Sequence, residues 1–473
     1  MPYRRMTIAT LLALSWAAGG LAATFHVYPG DSIQATINLA RDGDEIIVHP
    51  GTYAGLINFS GKAITLRSDG GPAVTTLDGQ HAGTVVLCIS GEGPDTLLDG
   101  FLVTGGQGAP NGGGMRMAGA SPTVHNCIFR ANQAQYGGGI FADSSQPTLV
   151  GCTFDDNTAE ASAGGMYNYG FPGVPAGVLL DCRFSENTAT NSGGAMRNWD
   201  SSPTLVRCIF EGNFTRYSGA GVANGGASHA QLTDCIFDGN RTDTLFGNWD
   251  CFGGAVSNFD TSSPVLVNCF FVANSTVALY PHLSRGGVMA NGGTAQPTLI
   301  NCTLYANHAN IGDALCNMDT AHPTVSSSIL WNDGDEIVNE GGATLSIAYS
   351  DVRGFWPGPG NINQDPRLAD WRLQPDSPCI NAGDPDYAPP GGRDLDGHAR
   401  VLHGRVDMGA YEFGIGDYDG DRDVDAQDIL GGIACLTGPD HGPYGAGCEA
   451  LDFEYDQDVD LTDVAAFQVL VGQ

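Results

Sequence analysis

Seven times between residues 127 and 307 the chain writes Cys, any residue, Phe or Leu, two further residues, then Asn. The copies are Cys127–Asn132, Cys152–Asn157, Cys182–Asn187, Cys208–Asn213, Cys235–Asn240, Cys269–Asn274 and Cys302–Asn307, at intervals of 25 to 34 residues. Intervals this short belong to a solenoid. One copy holds too little apolar surface to bury its own face, so each needs a neighbour stacked on it. A second signature is interleaved: small glycine-rich pairs followed by Asn168, Asn198, Asn224, Asn258, Asn291 and Asn317. Turn pairs such as Ser121-Pro122, Gln146-Pro147 and Ser202-Pro203 then lead back into T-L-V-x-C or a close variant.

Short runs bounded by Gly, Pro and Asn read as strands. The Cys, Phe and Leu positions alternate with polar ones at period two and so point into a narrow core. The repeat Asn residues are expected to take the left-handed region at the bends and to hydrogen-bond along the stack. The fold class that follows is all-β: a right-handed parallel β-helix with coils about 4.8 Å apart. A β-propeller would need about 40 residues per blade.

Four segments are expected: 1–23 a secretory signal, 24–355 the β-helix, 356–414 its C-terminal cap, and 415–473 a small helical calcium-binding module. Arg4 and Arg5, the apolar stretch from Ile8 to Ala18 and the small residues Gly20 to Ala23 carry the signal reading. An uncleaved N-terminal anchor is the alternative, and no other uninterrupted apolar run is long enough to span a bilayer. Just after it, Asp31 or Ser32 caps a short helix reaching about Ala40, with Ile33, Ile37 and Ala40 on one face. Such a helix is expected to plug the open end of the solenoid.

Acidic residues outnumber basic ones 52 to 20 for a net charge of −32, which argues against nucleic acid or an anionic membrane as partner. It suits a secreted or cell-surface protein with calcium sites. Most of the 13 cysteines stand at one repeating core position, where stacked side chains sit too far apart at Cβ for good disulfides. They read as a ladder of buried thiols, whereas Cys435 and Cys448 flank a C-terminal loop and are candidates for pairing.

The start of the β-helix resembles bacterial secreted pectin-lyase-like β-helices, and its repeats resemble the FxxN and GGA repeats of polymorphic outer-membrane proteins. Asp365-Pro366, Asn381-Ala382-Gly383 and Asp407 to Glu412 are similar to the choice-of-anchor Q segment that closes such helices. Residues 416–473 place carboxylates at alternating loop positions: Asp417, Asp419, Asp421, Asp423, Asp425 and Asp428, then Asp452, Glu454, Asp456, Asp458, Asp460 and Asp463. Alternating hard oxygens before a helix suit Ca²⁺, which takes roughly six to eight of them. An acidic solvated tail is the plain alternative. The pair resembles a type I dockerin, which implies a cohesin-like or cell-surface partner. Arg422 and Gln457 stand where glycine normally makes the sharp turn, at about 1 kcal/mol each.

Function within the shaft is less marked. Tyr169, Trp199 and Phe259 follow turn asparagines, and Trp249 lies in a long inserted loop. Stacked at coil spacing they form either a stripe for sugar rings or a ladder that merely covers the turn. Asp155, Asp156 and Asp181, with Arg183 and Arg207, are the nearest approach to a paired-carboxylate cluster, without a recognisable catalytic motif. Two functions therefore stand: a structural, adhesive or carbohydrate-binding scaffold with a calcium-dependent interaction module, or a polysaccharide lyase or glycoside hydrolase. Two carboxylates and an Arg converging beside Trp199 or Trp249 would favour the second.

Overall fold

Each C-x-F-x-x-N copy forms one three-residue strand, from Ile128–Arg130 to Thr303–Tyr305, and pairs with the next copy in parallel and in register. The protein, seen in a computed structural model, is described over residues 22–244, 249–279, 282–374, 376–387, 392–397, 400–401, 405–414, 426–437, 448, 451–453 and 458–471. Most of the expected signal, residues 1–21, lies outside these.

The strands build an all-β parallel solenoid of about eleven turns. Sheet one holds the T-L-V strands, thirteen from Thr24–Val27 to Ser346–Ala348. Sheet two holds the strands after the glycine turns, eleven from Ile57–Asn58 to Ile337–Asn339. Sheet three holds the C-x-F strands, twelve from Gly51–Ala54 to Asp351–Val352. A fourth sheet has six short strands, from Gln133–Tyr136 to Ser275–Val277. Central coils pass through two, one, three and four in turn.

The core is a set of columns. Phe129, Phe154, Phe184, Phe210, Phe237 and Phe271 stack face to face with ring centroids 4.4 to 5.2 Å apart. Aromatic contacts add about 0.5–1.5 kcal/mol per pair beyond area burial. The seven repeat cysteines are buried free thiols. Asn132, Asn157, Asn187, Asn213, Asn240, Asn274, Asn307 and Asn332 form a buried ladder in which each Nδ2 donates to the next Oδ1 at 2.9 to 3.2 Å. Asn332, the last rung, donates from its backbone and its side chain to Glu336. A second ladder runs from Asn168 to Asn339 along sheet two.

One expectation is corrected. The left-handed bends are not made by the ladder asparagines but by the residue before each: Ala131, Asp156, Glu186, Gly212, Gly239, Ala273 and Ala306 all have φ between 53° and 62°. A buried amide serving four hydrogen bonds, as in Asn157, holds its own backbone in place, so the bend falls on the neighbour beside it. The other bend, just before each cysteine, uses Asn126, Gly151, Asp181, Arg207, Asp234, Asn268 and Asn301.

The N-terminal helix spans Ile33–Leu39 with Ser32 as its cap, accepting from the Ala35 N–H at 3.2 Å. Ile33 and Ile37 join the solenoid core. Lys62, the one lysine, donates to the carbonyls of Ile37, Asn38 and Ala40 at 2.6 to 2.9 Å and so satisfies the helix C-terminus.

At the other end Trp356 packs on the core, while Asn361 bonds to Ile347 and Ser350 of the last coil. The chain then folds back along the outer face of sheet three, where Tyr411 and Trp371 pack on Phe270 and Trp371 on Tyr305. Trp356 and Asn361 thus lie at an end of the solenoid, and Trp371 and Tyr411 on a flank. Arg400, Asp394, Asp407 and Glu412 are buried within this segment, Arg400 reaching Glu412 at 3.1 Å. Further on, helices Ala426–Gly431 and Leu461–Val471 pack together, and Cys435 is disulfide-bonded to Cys448.

Candidate functional site

In sheet two the first and third residues of each strand point inward, so the middle one faces out. In register these are Arg116, Phe141, Tyr167, Arg197, Ala223, Ser257, Ala290 and Cys316. Large groups occupy the early coils and small ones the later coils, yet Ala223, Ser257 and Ala290 are fully buried. Ser218, from a neighbouring turn, donates to the Ser257 Oγ at 2.7 Å.

The result is a ribbon of aromatic rings and guanidinium groups. Tyr136 meets Tyr167 edge-on at 5.7 Å, and Phe141 stacks on Tyr167 at 5.3 Å. Arg197 sits 5.0 Å from the Trp199 ring centre. Trp199 lies across Gly225 of the next coil, where an added Cβ would come within 3.0 Å of its ring. Phe259 lies across Gly292 in the same way, at 2.7 Å. Both rings need a glycine beneath them because each spreads over the following coil. Trp199 and Phe259 are therefore partly covered, and Tyr169, in register with Trp199, is exposed.

Two consecutive enlarged turns end this ribbon. The stretch from ladder Asn to turn Gly runs over 213–219 and 307–312 in ordinary coils, but over 240–253 and 274–286 in these two. The first contributes Trp249, Asp250 and Phe252, and the second His282, Leu283 and Arg285. Asp250 ties them together, accepting from the Leu283 N–H at 2.9 Å and from Arg285 Nη1 at 2.5 Å. Arg285 Nε donates at 2.8 Å to Glu340, two coils further on. The guanidinium also lies 5.8 Å from the Phe252 ring centre, and Phe252 meets Phe259 edge-on at 5.5 Å.

Between the two turns opens a cleft of about 680 Å³ lined by Tyr217, Trp249, Asp250, Phe252 and His282. Trp249 is 65% exposed, and its ring is presented to solvent rather than spent on covering a turn. Partial burial pushes the Asp250 carboxyl up, but the Leu283 N–H and Arg285 outweigh it and hold it below its ordinary value. Burial lowers Arg285, while Asp250 and Glu340 more than reverse this and keep it firmly protonated. Asp250 is thus a poor proton donor and Arg285 a poor base.

Of the aromatic residues expected to contact glycan, Trp249 lines the cleft and Phe259 adjoins it through Phe252. Trp199 and Tyr169 lie further back on the ribbon. Tyr217, His282, Arg285 and Glu340 were not anticipated. The expected carboxylate cluster is dispersed: Asp181 forms a bidentate pair with Arg207 at 2.7 and 2.8 Å, Asp155 pairs with Arg130, and Arg183 with Glu211. These are coil-to-coil ion pairs on a solvated face, worth about 0–1 kcal/mol each.

In the C-terminal module the carboxylate oxygens of Asp458, Asp460 and Asp463 lie within 4.8 Å of one another. Oxygens bound to one Ca²⁺ at about 2.4 Å cannot be much further apart than that, so this set fits the ion. Asp428 and Asp452 are also buried. Asp417, Asp419, Asp421, Asp423, Asp425, Glu454 and Asp456 lie outside the described residues.

No curated protein matches the chain. Among solved structures, pectate lyase Pel9A is similar at 15% identity and a TM-score of 0.42, covering 83% of this chain and 97% of its own. An alginate lyase from Paenibacillus sp. str. FPU-7 gives 12% and 0.38, covering 68% and 99%. The catalytic unit of a GH87 alpha-1,3-glucanase from Streptomyces thermodiastaticus strain HF3-3 gives 14% and 0.37, covering 74% and 71%. These likenesses are distant. Residues 88–241 match the family model for the right handed beta helix region.

Proposed function

We propose that the protein is a polysaccharide-active β-helix, with the Trp249 cleft and the ribbon behind it gripping a glycan chain, in preference to a bare structural or adhesive shaft. One observation carries this reading: an exposed Trp249 shares an open cleft with Tyr217, Phe252, Asp250 and His282, and Asp250 is fixed there by Arg285, which Glu340 also pairs. A few fixed polar groups among aromatic walls is the usual make-up of a small-molecule or sugar site. Trp249 and Tyr217 offer flat faces to pyranose rings, and Asp250 and His282 offer polar atoms to hydroxyl groups. Cleavage is the second reading, favoured by the two carboxylates on one guanidinium. The protonation states weigh towards binding, since among the lining residues none is a carboxyl held protonated at neutral pH. A polysaccharide binding and cleavage screen separates the two. Retention without shortening of the glycan means binding alone, new reducing or unsaturated ends mean an enzyme, and no retention by any glycan refutes the proposal.

The protein is further proposed to be exported, on its N-terminal pattern, and to bind Ca²⁺ at its C-terminus. Asp458, Asp460 and Asp463 would supply ligands there, and the ion would neutralise their mutual repulsion and stiffen the start of helix Leu461–Val471. A cohesin-like or cell-surface protein is the proposed partner of that module. Calcium titration by calorimetry tests the site: Asp460→Asn with Asp463→Asn is expected to weaken binding by at least about tenfold. Unchanged affinity in the double variant would remove these residues from the site.

A further inference from the structure

We infer that the glycan taken by the Trp249 cleft is an uncharged one, built of neutral hexose or pentose units, and not a polyuronate. The inference rests on the binding reading above and concerns the charge that the site presents. The lining carboxylate Asp250 has His282 3.8 Å away and is paired with Arg285, only 13% of whose side chain is exposed. Arg285 Nη1 is taken by Asp250 and its Nε by Glu340, so one positive charge meets two negative ones. Arg216, next to the lining residue Tyr217, is exposed but is not among the described lining residues.

The ribbon carries two half-buried guanidinium groups, Arg116 and Arg197, against a longer row of carboxylates. Arg197 is in contact with Trp199 and Tyr167. Along the turn edge, Asp200 accepts from the Ala227 N–H, Asp260 from the Gly226 N–H and Asp319 from the Gly293 N–H, each at 2.8 Å. These bonds come from neutral backbone groups and leave the carboxylate charge in place. The whole chain adds a net −32. A polyuronate brings a carboxylate on every sugar, and each like-charge approach at 4 Å costs about 1 kcal/mol even in water. Neutral sugars meet no such barrier. Their C–H faces lie on the indole and phenol rings, and their hydroxyls donate to carboxylates that would repel a uronate.

The test is affinity electrophoresis and calorimetry of the full chain against neutral glycans (glucans, mannan, xylan) and against polygalacturonate and alginate, with calcium and with chelator. At least one neutral glycan is expected to bind. Its affinity should fall about tenfold in Trp249→Ala and change little between about 0.05 and 0.5 M salt, where exposed charges become screened. Neither polyuronate should be retained. Asp250→Asn combined with Glu340→Gln, checked for folding by its melting temperature, frees the guanidinium and is expected to gain polyuronate binding at low salt. Trp249-dependent retention of a polyuronate by the wild-type chain, with neutral glycans excluded, would overturn the inference while leaving the binding proposal standing. Retention of neither class would refute both.

Discussion

The ordinary coils between Cys127 and Asn240 and the two enlarged coils between Asn240 and Gly286 share one core and differ at one turn. Phe237 still stacks on Phe271 at 4.7 Å, and Asn240 still donates to Asn274 at 2.9 Å, across the first enlarged coil. Additions of this kind therefore cost the shaft almost nothing. In the ordinary coils, Trp199 is spent on packing across Gly225, although Tyr169 in the coil before stays exposed. Where two enlarged turns adjoin, each supports the other through Asp250, and a ring is left over for a ligand.

This contrast can be broken from either side. The largest effect is expected in the shared core: Phe210→Ala removes a ring stacked on both sides and should cost about 3–5 kcal/mol, read by denaturant unfolding, with residual folded protein keeping its glycan affinity. Equal loss of glycan affinity would show that the shaft and the cleft are not separable. Trp249→Ala should do the opposite, lowering glycan affinity about tenfold while stability stays within about 0.5 kcal/mol.

A third expectation concerns pH. Burial pushes the Glu336 carboxyl from 4.5 up to about 7, against the Asn332 donors that favour its ionised form. Between those two values the native protein holds a proton that the unfolded chain releases, so this group's contribution to stability falls as pH rises through the window. Glu336→Gln keeps an acceptor for the ladder and should flatten the melting-temperature profile there; an unaltered slope would refute the assignment. The smallest effect belongs to Arg207→Ala, on the exposed Asp181 pair, at no more than about 1 kcal/mol and with no change in binding.

Most of the shaft was legible because its core rule is local: a cysteine and a phenylalanine two apart, repeated at coil length, specify which side chains stack. The bends were misassigned because the bend and the ladder sit on adjacent residues, and only the ladder residue recurs as one amino-acid type. Asp156, Glu186 and Ala273 do the strained work with no shared chemistry. The cleft was half legible. Trp249 stood out in its loop, but Arg285 is 35 residues from Asp250 and 55 from Glu340, and coil stacking alone brings the three together. The available signal was the pair of longest consecutive intervals, Cys235 to Cys269 and Cys269 to Cys302. The flank covered by Trp371 and Tyr411 had no signal, since sheet three's outward residues Phe270 and Tyr305 read as ordinary repeat variation.

The asparagine ladder has one more consequence. Every rung hands its proton the same way, from Asn132 towards Asn332, so the shaft is a vector whose two ends are chemically unlike. A whole coil copied into the middle arrives with its own donor and acceptor and leaves no amide unmatched. A coil deleted together with Glu336 strands the last donor in the interior. Length is thus free to vary by duplication in the central coils, while the terminus that receives the final hydrogen bond must travel with the protein through every such change.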